Sequence, residues 1–313
     1  MQGMRITVFG GAGFVGRYIV KRLAAAGAGV RVACRDPERA KFLKPAGGVG
    51  QVVPVQANLR YPQSVRAAVE GVDAVVNCVG VLASRGPQSF RAIHVAGAGA
   101  VASAAAEAGA GRLVHISAIG ADAASTAEYA RSKAAGEAAV REAFAQAAIL
   151  RPSIVVGPED DFFNRFAFLA RVLPALPLIG GGLTRFQPAY VGDVADAAVA
   201  ALDREGGLFE LGGPKVYTFR QLMELLLEKI GRKRLLVPVP FQIMQAKAAF
   251  IQFVPGAPIT PDQVELLKYD NVVSEGAAGF AELGLEPQDI ETVIPAYLDR
   301  FRTGSPHSRR DLA

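Results

Sequence analysis

The chain has 313 residues, 51% of them apolar and 20% charged, which is enough to build a packed core and excludes a mainly disordered state. Lysine and arginine exceed aspartate and glutamate by 34 to 29, a net charge of +5, and the densest basic run, Arg232-Lys233-Arg234, is too short to form a nucleic-acid face. The two cysteines, Cys34 and Cys78, and the three widely spaced histidines, His94, His115 and His307, speak against a disulfide framework, a cysteine-rich metal site and a catalytic zinc, so no metal is expected.

The first half alternates short apolar runs with helical patterns. Strands are expected over 6–9, 30–33, 52–55, 74–77, 113–116 and 148–150, and helices over 14–26, 37–43, 63–69, 88–108 and 127–145. The strands are near-continuous apolar runs, as expected where helices cover both faces of a parallel sheet. This predicts an α/β fold, a doubly wound parallel sheet of the Rossmann type.

After Arg151-Pro152 the rhythm breaks at Pro174, Pro177, Gly180-Gly181-Gly182 and Pro188. A helix is expected over 193–202 with Asp193 as N-cap, and another over 218–230, capped by Thr218 and stopped by Gly231. The expected organisation is a Rossmann domain over 1–155 with a return segment near 186–204, a smaller mixed substrate or docking domain over 156–303, and a flexible tail over 304–313. The stretch 235–255 is apolar and amphipathic, with Phe241, Ile243, Met244, Phe250, Ile251 and Phe253 among glutamines; it suits a partner or membrane surface and the domain's own core equally. The strand-like start at Ile6 leaves no room for a signal peptide, and no run of about 18 apolar residues occurs, so the expected location is cytoplasmic.

Residues 9–16 read Phe-Gly-Gly-Ala-Gly-Phe-Val-Gly between a strand and a helix. Gly10, Gly11, Gly13 and Gly16, with Phe14 and Val15 opening the helix, form a candidate dinucleotide site. Glycines there let a pyrophosphate approach backbone N–H groups at a helix terminus whose dipole favours an anion. An NAD-preferring site places an acid about 20 residues on, at the end of the second strand. This chain has Cys34-Arg35-Asp36 there, and the Arg35 guanidinium favours NADP(H), with NAD(H) the alternative that Asp36 would serve. Asn58 and Leu59 after the third strand, and Cys78-Val79-Gly80 after the fourth, lie where ligands bind in such sheets; Asn58 reads equally as a turn-forming residue.

Tyr129 and Lys133 stand at i and i+4, on one helix face, so a phenol and an ammonium can act on one ligand. The lysine would lower the tyrosine pKa, and Ser117 at the end of the fifth strand is placed to polarise a carbonyl. The alternative is a solvated helix face with Lys133 paired to Glu137. His115, inside a strand, reads as a satisfied core histidine.

Gly10/Gly13/Gly16, Asn77-Cys-Val-Gly80, Ser117, Tyr129-x-x-x-Lys133, Arg151-Pro152-Ser-x-x-x-Gly157-Pro158 and Tyr190-Val-Gly-Asp-Val-Ala195 resemble the short-chain dehydrogenase/reductases, extended or atypical branch. The resemblance implies cofactor contacts at Ser117, Tyr129, Lys133, Pro152, Ile154 and Val155. A narrower one adds Lys133-Ala-Ala-Gly-Glu-Ala-Ala-Val-Arg141, Pro158-Glu-Asp-Asp-Phe-Phe-Asn164 and Pro258-Ile-Thr-Pro-Asp-Gln-Val264, and is to the family of nucleotide-binding accessory subunits of respiratory complex I, NADH:ubiquinone oxidoreductase. It implies a tightly held NADPH serving stability or assembly, partners near the quinone-reducing region, and a peripheral seat on the cytoplasmic face of the inner membrane. The competing reading is an active NAD(P)-dependent oxidoreductase or epimerase on a hydrophobic carbonyl, quinone-like or sugar-nucleotide substrate. The residues leave open whether the protein turns over.

Overall fold

The computed structural model describes residues 1–251 and 259–302. The expectations for Gln252, Phe253 and Pro255, for His307 and for the tail over 304–313 lie outside the described residues. The chain divides into two units. The first holds Met1–Pro152, Gly192–Leu211 and Gly276–Glu286; the second holds Ser153–Val191, Gly212–Glu275 and Pro287–Ala313.

The first unit is built on a seven-stranded parallel sheet. Its strands are β1 (Arg5–Phe9), β2 (Gly29–Cys34), β3 (Val52–Gln56), β4 (Ala74–Asn77), β5 (Arg112–Ile116), β6 (Ala148–Pro152) and a late strand, Gly207–Leu211. The order across the sheet is late strand, β6, β5, β4, β1, β2, β3, so the winding reverses between β1 and β4. That reversal opens a crevice at the carboxyl ends of β1 and β4, where the loops leave in opposite directions.

Helices α1 (Phe14–Ala25), α2 (Pro62–Val69), α3 (Ala98–Glu107) and α4 (Glu128–Ala143) form the crossovers. They form because their small and straight-chain residues lose little side-chain freedom in a helix. One layer of the core packs Phe9, Val65, Val75, Val101, Leu113 and Val140, all with almost no exposed surface. Each such side chain contributes about 1.5–3 kcal/mol on burial.

The structure corrects the sequence reading in two places here. The expected helix over 88–108 is a π-helical segment, Arg91–Gly97, followed by α3. The expected short helix over 37–43 is a 3-10 segment, Glu38–Ala46, with Pro45 inside it.

The second unit has its own core, in which Phe163, Leu176, Leu178, Phe219, Leu222, Leu226 and Ile294 are buried. Its strands are short: Val155–Val156 pairs with Ala189–Tyr190, Arg185–Phe186 with Tyr217–Thr218, and Ala175–Ile179 with Leu235–Val239. Thr218 caps Phe219–Lys229 in a capping box with Gln221, and Gly231, at φ +62°, follows that helix. Asp193 falls in the first turn of Val191–Ala201 rather than at its N-cap. In Phe241–Ile251, Met244 and Ala248 are buried while Ile243 and Phe250 are exposed, so that helix is partly core and partly surface. Among the described residues no helix is long and apolar enough to cross a membrane.

Candidate nucleotide site and the tyrosine–lysine pair

The loop from β1 into α1 is shaped by close backbone approach. Gly10 has φ +73°, and a Cβ there would lie 3.1 Å from Val79 Cγ2 and 3.2 Å from the Cys78 carbonyl carbon. A Cβ on Gly16 would lie 2.3 Å from the Gly10 oxygen, so any side chain there displaces the loop. At Gly13 a Cβ would meet the Gly10 oxygen at 3.1 Å and, chain neighbours aside, nothing else among the described residues within 4 Å. Gly13 is the N-cap of α1, no side chain caps that helix, and its first turn holds no acidic residue. An open cradle before an uncapped helix start fits a nucleotide pyrophosphate.

The loop is tied to both neighbouring strands. Gly10 N donates to Ala33 O of β2 at 3.0 Å, and Cys78 N donates to Phe9 O at 2.9 Å. Arg35 and Asp36 are exposed beyond the end of β2, and Asp36 Oδ1 accepts from Glu38 N at 3.1 Å. Asn58 adopts turn geometry, its Oδ1 accepting from Arg60 N at 3.2 Å, and Leu59 is buried.

After β4, Asn77 Oδ1 accepts from Val79 N at 3.1 Å, which turns its amide toward His115 Nδ1 at 3.2 Å. His115 therefore accepts at Nδ1, as a neutral, buried and hydrogen-bonded core residue. The thiol of Cys78 is pushed up to about 12 by burial, against the opposing influence of Lys133. A Cβ on Gly80 would lie 3.7 Å from His94 Nε2 and 3.9 Å from Lys133 Nζ.

Lys133 is buried and donates to Ile116 O at 3.0 Å. Burial lowers its pKa to about 8, while Glu137 and Cys78 act to raise it. Tyr129 is half-buried, its ring edge-on to His94 at 5.5 Å and to Phe90 at 5.8 Å between centroids.

Sequence reasoning missed His94. Val81 N donates to its Nε2 at 3.0 Å, so the ring proton sits on Nδ1 and goes to Ser132 Oγ at 2.9 Å. Ser132 Oγ in turn donates to Tyr129 O at 2.7 Å. Burial, and then the Lys133 charge, hold His94 down to about 3. The π-helical segment that carries it touches α4 so closely that a Cβ on Gly136 would lie 2.1 Å from His94 O. Local sequence carries no signal for this contact except glycine inside a helix.

Ser117 Oγ donates to Glu137 Oε1 at 2.5 Å. Both carboxylate oxygens of Glu137 also accept from Arg151, Oε1 from Nε at 2.8 Å and Oε2 from NH2 at 2.7 Å. Arg151 reaches Glu210 on the late strand at 3.5 Å. The Lys133–Glu137 pairing that the spacing permitted is replaced by this network. Pro152 closes β6, its carbonyl accepting from Ile119 N at 3.0 Å. Ile154 and Val155 belong to the second unit, where Ile154 packs against the core.

The glycine cradle, the strand reversal and the Tyr129/Lys133 face together mark a nicotinamide-nucleotide fold, and the sequence agrees: residues 6–212 match the NAD dependent epimerase/dehydratase family. The chain belongs to this family. It is an extended short-chain dehydrogenase/reductase. It is 36% identical over 322 residues to the Arabidopsis thaliana mitochondrial "NADH dehydrogenase [ubiquinone] 1 alpha subcomplex subunit 9", covering 98% of this chain and 80% of that protein. It is 31% identical to a ceramide reductase of Caulobacter vibrioides, over 75% of this chain and 73% of that one. The fold superposes on a Thermus thermophilus UDP-glucose 4-epimerase in complex with NAD with a TM-score of 0.71, at 24% identity, over 96% of this chain and all of that one.

Proposed function

We propose that this protein is an NADP(H)-holding accessory or assembly subunit of respiratory complex I, docked near the quinone site and seated peripherally at the cytoplasmic face of the inner membrane. The observation that carries the reading is likeness to a complex I subunit along 98% of the chain. The tied state of Ser117 supports it, because a serine has one proton and Glu137 receives it.

In this reading Gly10, Gly11, Gly13 and the first-turn N–H groups of Phe14 and Val15 hold the pyrophosphate. Arg35 favours a ribose 2′-phosphate, and Cys78-Val79-Gly80 lines the crevice. Asn58, Leu59 and Pro152 are the remaining proposed contacts within the first unit. Tyr129 and Lys133 orient the nicotinamide ribose, with the Lys133 ammonium fixed by Ile116 O. When bound, the nicotinamide carries hydride-transfer chemistry. Binding stabilises the folded state by mass action, by about 2.7 kcal/mol at a ligand concentration 100 times Kd.

The test is gradient fractionation of gently solubilised native membranes, following the protein beside NADH:quinone oxidoreductase activity. Co-migration with the large active species is expected. Recovery only as a small free species would overturn the subunit reading. A second reading, an active reductase of a hydrophobic carbonyl, is favoured by the retained Tyr129 and Lys133 and by the likeness to a ceramide reductase. It requires that Tyr129→Phe abolish NADPH-dependent turnover without changing nucleotide content.

A further inference from the structure

We infer that the second unit carries a binding site for the phosphate of an anionic phospholipid, built from Arg171, Arg232, Lys233 and Arg234 and flanked by exposed apolar side chains. It deepens the peripheral membrane seat proposed above and rests on that part of the reading.

The arginines converge on one helix end. Arg171 lies in the last turn of the helix Phe162–Val172. Arg234 Nε donates to Ala170 O, in the same turn, at 2.7 Å, and NH1 donates to Lys233 O at 2.9 Å. Arg232 Nε donates to Phe301 O at 3.2 Å, and the Arg171 guanidinium carbon stands 5.9 Å from the centroid of the Phe301 ring. These bonds fix two guanidinium forks while using few of the N–H groups they offer.

A helix C-terminus attracts a cation, but the cluster exceeds that need. Burial first, and then the charges of Arg234 and Arg171, hold the Arg232 guanidinium below its ordinary range. Among the described residues no carboxylate pairs with Arg171, Arg232, Lys233 or Arg234. The sequence has no aspartate or glutamate between Asp161 and Asp193 or between Glu228 and Asp262, and Glu228 itself pairs with Lys229 at 3.0 Å. Planar forks gathered without acids match a phosphate, which they bind bidentately.

The flank makes that phosphate part of an amphiphile. Val172 and Leu173 are exposed, and the chain runs on to Pro174, whose oxygen accepts from Leu235 N at 3.2 Å. Leu235 lies opposite Ala175 and Val237 opposite Pro177. Leu236 packs on the core, so Leu235 and Val237, on the other face of the strand, turn outward, with Leu235 71% exposed. Apolar side chains beside an acid-free basic cluster suit a membrane of anionic lipid: headgroup phosphates meet the arginines and the acyl boundary takes the apolar groups.

The test is co-sedimentation of the full chain with vesicles of phosphatidylcholine alone and of phosphatidylcholine mixed with phosphatidylglycerol, with melting temperature as a check on folding. One variant is Arg171→Gln/Lys233→Gln, which leaves the hydrogen-bonded Arg232 and Arg234 in place. The other is Val172→Ser/Leu235→Ser. We expect the wild type to bind the mixed vesicles and not the neutral ones, and each cation removed to weaken that binding about fivefold. The serine variant should weaken it by about tenfold or more. Equal binding to both kinds of vesicle, or mixed-vesicle binding unchanged in Arg171→Gln/Lys233→Gln, would overturn the inference. If inorganic phosphate releases the protein and the serine variant binds like the wild type, the cluster reads a soluble phosphate and the lipid assignment falls. The gradient fractionation judges the subunit reading separately. A chain that co-migrates with the complex yet ignores anionic vesicles sinks this inference alone and points to a protein partner on this face. A chain recovered only as a small species that still binds mixed vesicles through these residues sinks the subunit reading and supports the site.

Discussion

Ser117 gives its hydroxyl proton to Glu137 across 2.5 Å, joining the end of β5 to the middle of α4, the helix that carries Tyr129 and Lys133. Glu137 is almost fully buried and Arg151 largely so, with side-chain exposures of 4% and 19%. The carboxylate therefore fixes α4 against the sheet. Removing Glu137 leaves Arg151 with the longer 3.5 Å contact to Glu210 and Ser117 without its acceptor, and breaking a buried pair costs about 3–5 kcal/mol. Glu137→Ala should lose stability in that range, read as a lower urea midpoint at unchanged slope. A loss below about 1 kcal/mol, the size of a surface pair, would show that the network is screened by water.

His94 and His115 make the fold acid-sensitive. Both are buried neutral and held down to about 3. An unfolded histidine takes up its proton near pH 6.5, so between about pH 3 and 6.5 the unfolded state binds more protons. Stability is then lost as pH falls through that window, at roughly 1.4 kcal/mol per pH step for each ring. Denaturation midpoints from pH 7 to 4 should fall steeply in the wild type and less steeply in His94→Gln/His115→Gln. Parallel curves would remove the histidines as the cause.

Lys133 acts with the same sign, in an alkaline window. Its pKa in the fold, about 8, lies below the ordinary 10.5, so from about pH 8 to 10.5 the unfolded chain holds a proton that the folded one has released. The cost of burying the ammonium is full at pH 7 and is relieved as pH rises. Lys133→Met should be more stable than the wild type at pH 7, by up to about 3 kcal/mol, and the advantage should shrink by pH 10. A difference that does not change with pH would place the lysine titration outside this window.

Two glycines on facing helices should respond oppositely to alanine. A Cβ on Gly136 would meet the His94 carbonyl oxygen at 2.1 Å, a backbone atom that cannot step aside. Gly136→Ala should cost several kcal/mol and weaken nucleotide binding through the displaced His94. At Gly99 the nearest neighbour is Ala139 Cβ at 3.4 Å, an ordinary contact. Gly99→Ala should gain about 0.5–1 kcal/mol from helix propensity. Thermal melts of the two variants decide the comparison.

The cradle has its own check. Gly13→Val should abolish the rise in melting temperature that NADPH gives the wild type, because the added side chain enters the open side of the loop. An undiminished rise would show that the nucleotide lies elsewhere.

The first unit was largely legible because its signals are local. Val30, Val32, Val75 and Val76 are apolar on both faces of buried strands, and Gly10, Gly13 and Gly16 stand between a strand and a helix where few residue types fit. What was not legible depends on contacts made at a distance. Nothing near Arg91 announces a π turn, and the segment that holds it lies against Gly136 of another helix. The spacing of Lys133 and Glu137 suggested a pair, but Arg151, from a strand, supplies a better fork. In the second unit, two-residue strands such as Arg185–Phe186 and Tyr217–Thr218 carry too few residues to show a period.

The late strand Gly207–Leu211 pairs in register with β6, Glu210 opposite Arg151. A nascent chain therefore exposes β6 to the ribosome exit with a bare flank until more than fifty further residues have emerged. At synthesis rates of about 5–20 residues per second that interval lasts some seconds, time enough for an open strand to find the wrong neighbour. Synonymous codon changes that slow translation between residues 152 and 207 should lower the yield of folded protein, and a gene truncated at residue 152 should yield aggregates rather than a minimal nucleotide-binding domain.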